Sequence, residues 1–315
     1  MPLDVAAGAD VLTEALPASV QAKLTFAVRT ADKPFVYTYD PPEGQPWTNT
    51  VYEDAVVTVE NVRPIADSLS LDVEGVAVVR QPTAVRDLWD EAQILALGHP
   101  ETAELVKQAT GASRVVVFDH TLRNSAVEAG QRLGVRGRAQ PPASRAHADQ
   151  TVASGPKRVR EIMGDQAEAL LKRRARSSTS GGRSAIRRGP GRWRSATRAT
   201  FAPADLVATD LIFRNRTGEI YGVAHNPGQR WLYVPDLGPD EAILIKCWDS
   251  DPGVARFAPH TASTIRRPRP ARRRARASSS APSPSSTEQK AARAHASAAS
   301  SSSAARVESR PSRSA

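Results

Sequence analysis

The chain has 315 residues, 40% of them hydrophobic, and a formal charge of +10 from 43 Lys and Arg against 33 Asp and Glu. Its one cysteine, Cys247, excludes a disulfide framework and a Cys-rich zinc module. No apolar run approaches the roughly 18 residues of a membrane span, and an acidic start unlike a signal peptide makes a cytoplasmic protein the expectation.

In chain order, AKLTFAVRT (22–30), PFVYTYD (34–40) and AVVTVENV (55–62) alternate or are β-branched and predict strands, with DPPEGQP (40–46) as a turn. Apolar residues at helical spacing predict helices over 84–97 and 100–109, Pro100 opening the second. RVVVFDH (114–120) is a short apolar run of the buried-strand type. An Arg/Pro/Gly linker (135–143) leads to SRAHADQT (144–151), and a helix follows from Gly155-Pro156 to about Arg173. EIYGVAH (219–225), QRWLYVP (229–235), EAILIKCWDS (241–250) and ARFAPHTA (255–262) predict four more strands. Many short strands and few helices make the fold mainly β, a sandwich or barrel with peripheral helices.

The charge is uneven along this order. Residues 175–199 hold 7 arginines and no acid, residues 263–315 hold 12 basic and 2 acidic residues, and the remainder is net −7. The first island lacks periodicity and reads as irregular. The second, Arg/Pro then Ser/Ala, cannot bury enough surface to offset its ordering entropy and reads as a disordered tail. The expected organisation is one domain over 1–262 and a tail over 263–315. A pI near 10.2 suggests a nucleic-acid partner acting through these Arg-rich segments, and that is the alternative function. Against it, no aromatic residue follows 262 for base stacking, and the body is acidic.

Six histidines are present, and His147 has a carboxylate two residues away on a strand-like segment, in His147-Ala148-Asp149. On a strand, i and i+2 share a face, so imidazole and carboxylate can converge on one ion. A histidine from a distant strand would complete a two-His, one-carboxylate set with positions left open. His260 is the natural third ligand and His225 the competitor. The plainer reading is a strand-end histidine beside an acid. Cys247, mid-strand between Lys246 and Trp248, reads as a buried, inert thiol. No P-loop spacing and no G-x-S-x-G elbow occurs.

FDHTLR (118–123), the HADQT segment, GEIYGVAHNPGQRWLYVPDLGPDEAILIKCWDS (218–250) and RFAPHTA (256–262) together resemble the AsaB-type hydroxylase/desaturase family, which takes in cephem 7α-methoxylase-related proteins. The resemblance implies a double-stranded β-helix (jelly-roll) core and an Fe(II) oxygenase using 2-oxoglutarate, O2 and a small-molecule substrate. By position it makes His147, Asp149 and His260 the metal ligands, and Tyr221, Asn226, Arg230 and Arg256 pocket residues. Both islands depart from the family. With GC-rich codons and one base restored, 263–287 reads as a string containing P-R-E-S-I-E, and with Glu288 written GAG the next codon of that frame is a stop. The same shift over 178–199 permits W-R-P-I and P-L-A-L-C-D-A-R, rejoining at Phe201. Both islands therefore read as frameshifted family sequence. The arginine expected to pair with the distal carboxylate of 2-oxoglutarate is then missing, which implies impaired turnover.

Overall fold

A computed structural model describes residues 17–124, 140–183, 191–196, 201–238, 240–264 and 299–306. Strands run in chain order as β1 (Ser19–Ala27), β2 (Phe35–Tyr37), β3 (Tyr52–Asn61), β4 (Val76–Arg80), β5 (Val116–Asn124), β6 (His147–Ala148) and β7 (Arg176–Arg183). They continue as β8 (Gly191–Ala196), β9 (Leu206–Ile212), β10 (Thr217–Val223), β11 (Trp231–Tyr233), β12 (Glu241–Asp249), β13 (His260–Thr264) and β14 (Ala299–Arg306). Among the described residues the α-helical pieces are α1 (Glu91–Gln93), α2 (His99–Thr110), α3 (Ser154–Met163) and α4 (Ala167–Leu171), with 3-10 and π turns beside them.

The strands form a nine-stranded sheet in the order β1-β3-β11-β8-β13-β6-β10-β9-β2 and a five-stranded sheet in the order β4-β12-β7-β14-β5. β12 shows why the two sheets close on each other. Its run AILIKCW is buried on both faces, as a covered strand requires. Ile243 and Ile245 pack with Val76 of β4 against Leu232 of β11 and Val234, which joins the two sheets through one apolar layer. Leu244 points the other way, into Leu71, Val115 and Val106 of α2. Trp248 is covered by Val159 and Met163 of α3 and Ala167 of α4. This is the jelly-roll core with peripheral helices expected from the sequence.

Behind β12 lies a buried ionic knot. The Lys246 Nζ donates to Asp72 Oδ1 and Asp249 Oδ2, both at 2.7 Å, and Arg174 reaches the same two carboxylates at 2.6 and 2.8 Å. Lys246 and Asp249 are wholly buried. The partners keep Asp249 ionised: burial alone would raise its pKa, but bonds from Arg174 and Lys246 hold it below the usual carboxylate range.

Several elements differ from expectation. The helix expected over 84–97 begins only after Asp90, whose carboxylate caps the amides of Ala92 and Gln93. Upstream, side chains take the amides that a helix would need: Glu101 binds Ala84 and Gln93 binds Arg86. The helix expected over 155–173 breaks at Gly164, which adopts φ +53°. Segment 175–199, read as irregular, contributes β7 and β8, and the tail contributes β14. Backbone pairing accounts for this: β7 joins β12 from Ala242↔Gly182 to Asp249↔Arg176, whatever its side chains. The remaining parts of the basic islands, 184–190, 197–200, 265–298 and 307–315, lie outside the described residues. Among the described residues no helix is long and apolar enough to cross a membrane.

Candidate metal centre

Short β6 lies between β10 and β13, with His147 paired to Gly222 on one side and to His260 on the other. The two histidines, 113 positions apart in sequence, are therefore cross-strand neighbours, with ring centroids 4.4 Å apart. Each ring has one nitrogen fixed by a carbonyl. His147 Nδ1 donates to Arg145 O at 2.8 Å and His260 Nδ1 to Ala258 O at 3.1 Å. A carbonyl can only accept, so Nδ1 carries the proton and Nε2 presents a lone pair. Both Nε2 atoms face Asp149 Oδ1, at 3.3 Å from His147 and 3.8 Å from His260. The three ligand atoms lie within 4.8 Å of one another. With both Nε2 atoms unprotonated, three acceptors are turned on one point, and two neutral imidazoles with one carboxylate suit a divalent transition metal; without a metal, a proton on His147 Nε2 can bridge to Asp149 instead.

The electrostatics of the three groups differ. Burial opposes ionisation of Asp149, but the two histidines and the Cys247 thiol outweigh it and hold the carboxyl well below its usual range. Burial pushes His260 down to about 4. His147 is pushed up: its bond to Asp149 overcomes the burial that would lower it. Arg123 of β5 feels the Asp149 charge, which opposes the lowering of its own pKa by burial. Its Nη1 donates to Pro141 O at 2.9 Å.

The second carboxylate oxygen of Asp149 has its own partners. Thr179 Oγ1 donates to Oδ2 at 3.1 Å, and Cys247 Sγ approaches the same atom at 3.0 Å. Neither contact is foreseen from the sequence. Thr179 falls in the segment read as irregular, and Cys247, though buried as expected, stands against Asp149.

The remaining pocket residues are more dispersed. Tyr221 pairs with Ala148 across β10 and β6 and sets its ring edge-on to Phe257 at 5.2 Å. Arg256 donates Nε to Asp249 O at 3.0 Å. Asn226 serves its turn, bonding Asp205 and accepting from the Gly228 amide. Arg230 makes a surface ion pair with Glu60 at 2.6 Å. The structure brings none of these last three to the triad. His225 stacks on Phe26 instead, 5.0 Å between centroids.

Comparison with known proteins places this geometry. A family model described as "Oxidoreductase/YMDC permease-like domain" matches residues 24–280. The hydroxylase/desaturase efuI of Hormonema carpetanum is 27% identical over 235 residues, covering 68% of this chain and 79% of the relative. The alpha-ketoglutarate-dependent dioxygenase tstK of Talaromyces stipitatus is 27% identical over 208 residues, covering 63% and 73%. Among solved structures, a variant of the iron and alpha-ketoglutarate-dependent endoperoxidase NvfI superposes with a TM-score of 0.74 at 20% identity, covering 93% of this chain and 98% of that one. The fold is thus shared well beyond recognisable sequence, and the chain belongs to the oxidoreductase family of that model, the one in which its resemblance to the hydroxylase/desaturases placed it.

Proposed function

We propose that the protein is an Fe(II)- and 2-oxoglutarate-dependent hydroxylase or desaturase of a small secondary metabolite, with His147, Asp149 and His260 as the metal ligands. One observation carries the reading: both imidazoles are pinned through Nδ1 so that both Nε2 atoms meet Asp149 Oδ1. The printed names of efuI and tstK support the reaction class. When bound, Fe(II) supplies the redox chemistry that couples O2 to the decarboxylation of 2-oxoglutarate and oxidation of the substrate.

The chain's own part is to bind and orient. Two neutral nitrogens and one carboxylate leave a divalent ion a net charge of +1 and several open positions for co-substrate and O2. The carbonyls of Arg145 and Ala258 fix both ring orientations, as outer partners of metal-bound histidines do. Buried Ala148 and Ala258 keep the flanks of the ligands dry. Arg123, whose charge is felt by all three ligands, offers positive potential to an anionic co-substrate. The test is metal content and succinate release with Fe(II) and 2-oxoglutarate on the frame-corrected chain. That chain is expected to hold one iron, and its His147→Ala variant to lose iron and turnover together. Retention of iron by that variant would remove His147 from the ligand set.

A further inference from the structure

We infer that Cys247 and Thr179 are positioning residues that hold Asp149 as a one-oxygen ligand, an inference that rests on the metal reading proposed above. A carboxylate beside a metal can bind through one oxygen or both, and the second mode consumes a position that the reaction needs. Here the two oxygens are treated differently. Oδ1 faces the two imidazoles, while Oδ2 accepts from the Thr179 hydroxyl at 3.1 Å and the Cys247 thiol at 3.0 Å. The thiol and hydroxyl also touch each other at 3.2 Å, closing a triangle. Both residues are buried, Cys247 at 2% exposure.

The backbone delivers Cys247 by a specific device. Lys246 pairs with Ser178 and Trp248 with Ser177, so Cys247 is the extra residue of a β-bulge between them. Bulges re-aim a side chain out of the regular alternation, and they recur beside active sites. This one turns the thiol onto Asp149 while Lys246 on its N-terminal side reaches the ionic knot.

Outer partners of metal ligands are worth 10–100-fold in metal affinity, and a thiol is a weak donor, so about tenfold is expected. The experiment is anaerobic Co(II) titration of the full chain, read by affinity and by the visible d–d bands, which report coordination number. Cys247→Val is expected to bind Co(II) about tenfold more weakly with altered d–d intensity. Cys247→Ser, which keeps a donor, is expected to stay near wild type. Thr179→Val and Thr179→Ser repeat the comparison should Cys247→Val fail to fold. Equal affinity and equal spectra within each Val/Ser pair would overturn the inference. So would a sulfur-to-cobalt charge-transfer band in wild type, since the thiol would then be a ligand. Failure of wild type to bind Co(II) at all would bring down the metal reading as well, which separates the two failures.

Discussion

Replacing Lys246 by Met tests whether the ionic knot sets the position of β12. In the native arrangement two carboxylates, Asp72 and Asp249, share the ammonium of Lys246 and the guanidinium of Arg174, all within 2.6–2.8 Å. Lys246→Met leaves both carboxylates on one guanidinium. Asp72 is 39% exposed and can turn back to water, but Asp249 has no exposed surface. Breaking a buried pair by removing one partner costs about 3–5 kcal/mol. Arg174 still neutralises Asp249, so the lower end, about 3 kcal/mol, applies. In a domain of this size that corresponds to a fall in Tm of about 6–12 °C. Thermal and urea unfolding followed by circular dichroism would measure it. The double variant Lys246→Met/Asp249→Leu removes the stranded charge and leaves the half-exposed Arg174–Asp72 pair intact, so it should recover much of the loss. A cost below about 1 kcal/mol for the single variant, or a double variant no better than the sum of its parts, would refute the reasoning.

The contribution of His260 to the stability of the metal-free protein should be lost in acid, against an opposite trend from His147, whose pKa is pushed up. His260 is held neutral in the fold down to about 4 but protonates near 6.5, the ordinary value for histidine, when unfolded. Its contribution is therefore present above pH 6.5 and lost as pH falls toward 4, with Asp149 adding the same sign at still lower pH. Urea midpoints between pH 7 and 4 should fall less steeply in His260→Gln, and an unchanged slope would remove His260 as the cause. The two basic islands make a prediction at the level of DNA. Sequencing across codons 174–200 and 262–288 is expected to reveal a missing or extra base at each junction, and clean reads would end the frameshift explanation. A frame-corrected chain should also regain turnover with the arginine it recovers.

Much of the site was legible because its chemistry is local in sequence where it matters. His147 and Asp149 are two residues apart on an extended segment, and strand geometry alone puts them on one face. His260 could be named but not distinguished from His225 by spacing; only the β6–β13 pairing brings it to His147. Strands β10, β11 and β12 were visible through their aromatic and β-branched runs. β7 and β8 were not, because Ser, Gly and Arg carry no strand signal and only backbone pairing recruits them. The contacts on Asp149 Oδ2 were out of reach for the same reason, since one partner lies on β7 and the other depends on a bulge. The lost helical turns at 84–89 turn on where Glu101 and Gln93 send their side chains, which periodicity does not encode.

The composition of β7 has a kinetic consequence. Between β12 and β14 it buries Ser177, Ser178, Thr179 and Ser180, side chains with little apolar surface, and the buried Ser178 hydroxyl finds no hydrogen-bond partner among the described residues. Its neighbour β12 buries Ile, Leu and Trp over the same stretch. Amide ladders on both sides hold β7 in place with little apolar surface buried by its own side chains, so in native-state hydrogen exchange it is expected among the units that open at lower free energy than β12. Each such opening withdraws Thr179 from Asp149. A ligand that prefers the closed state stabilises it by mass action, so an occupied metal centre and a protected β7 would rise and fall together.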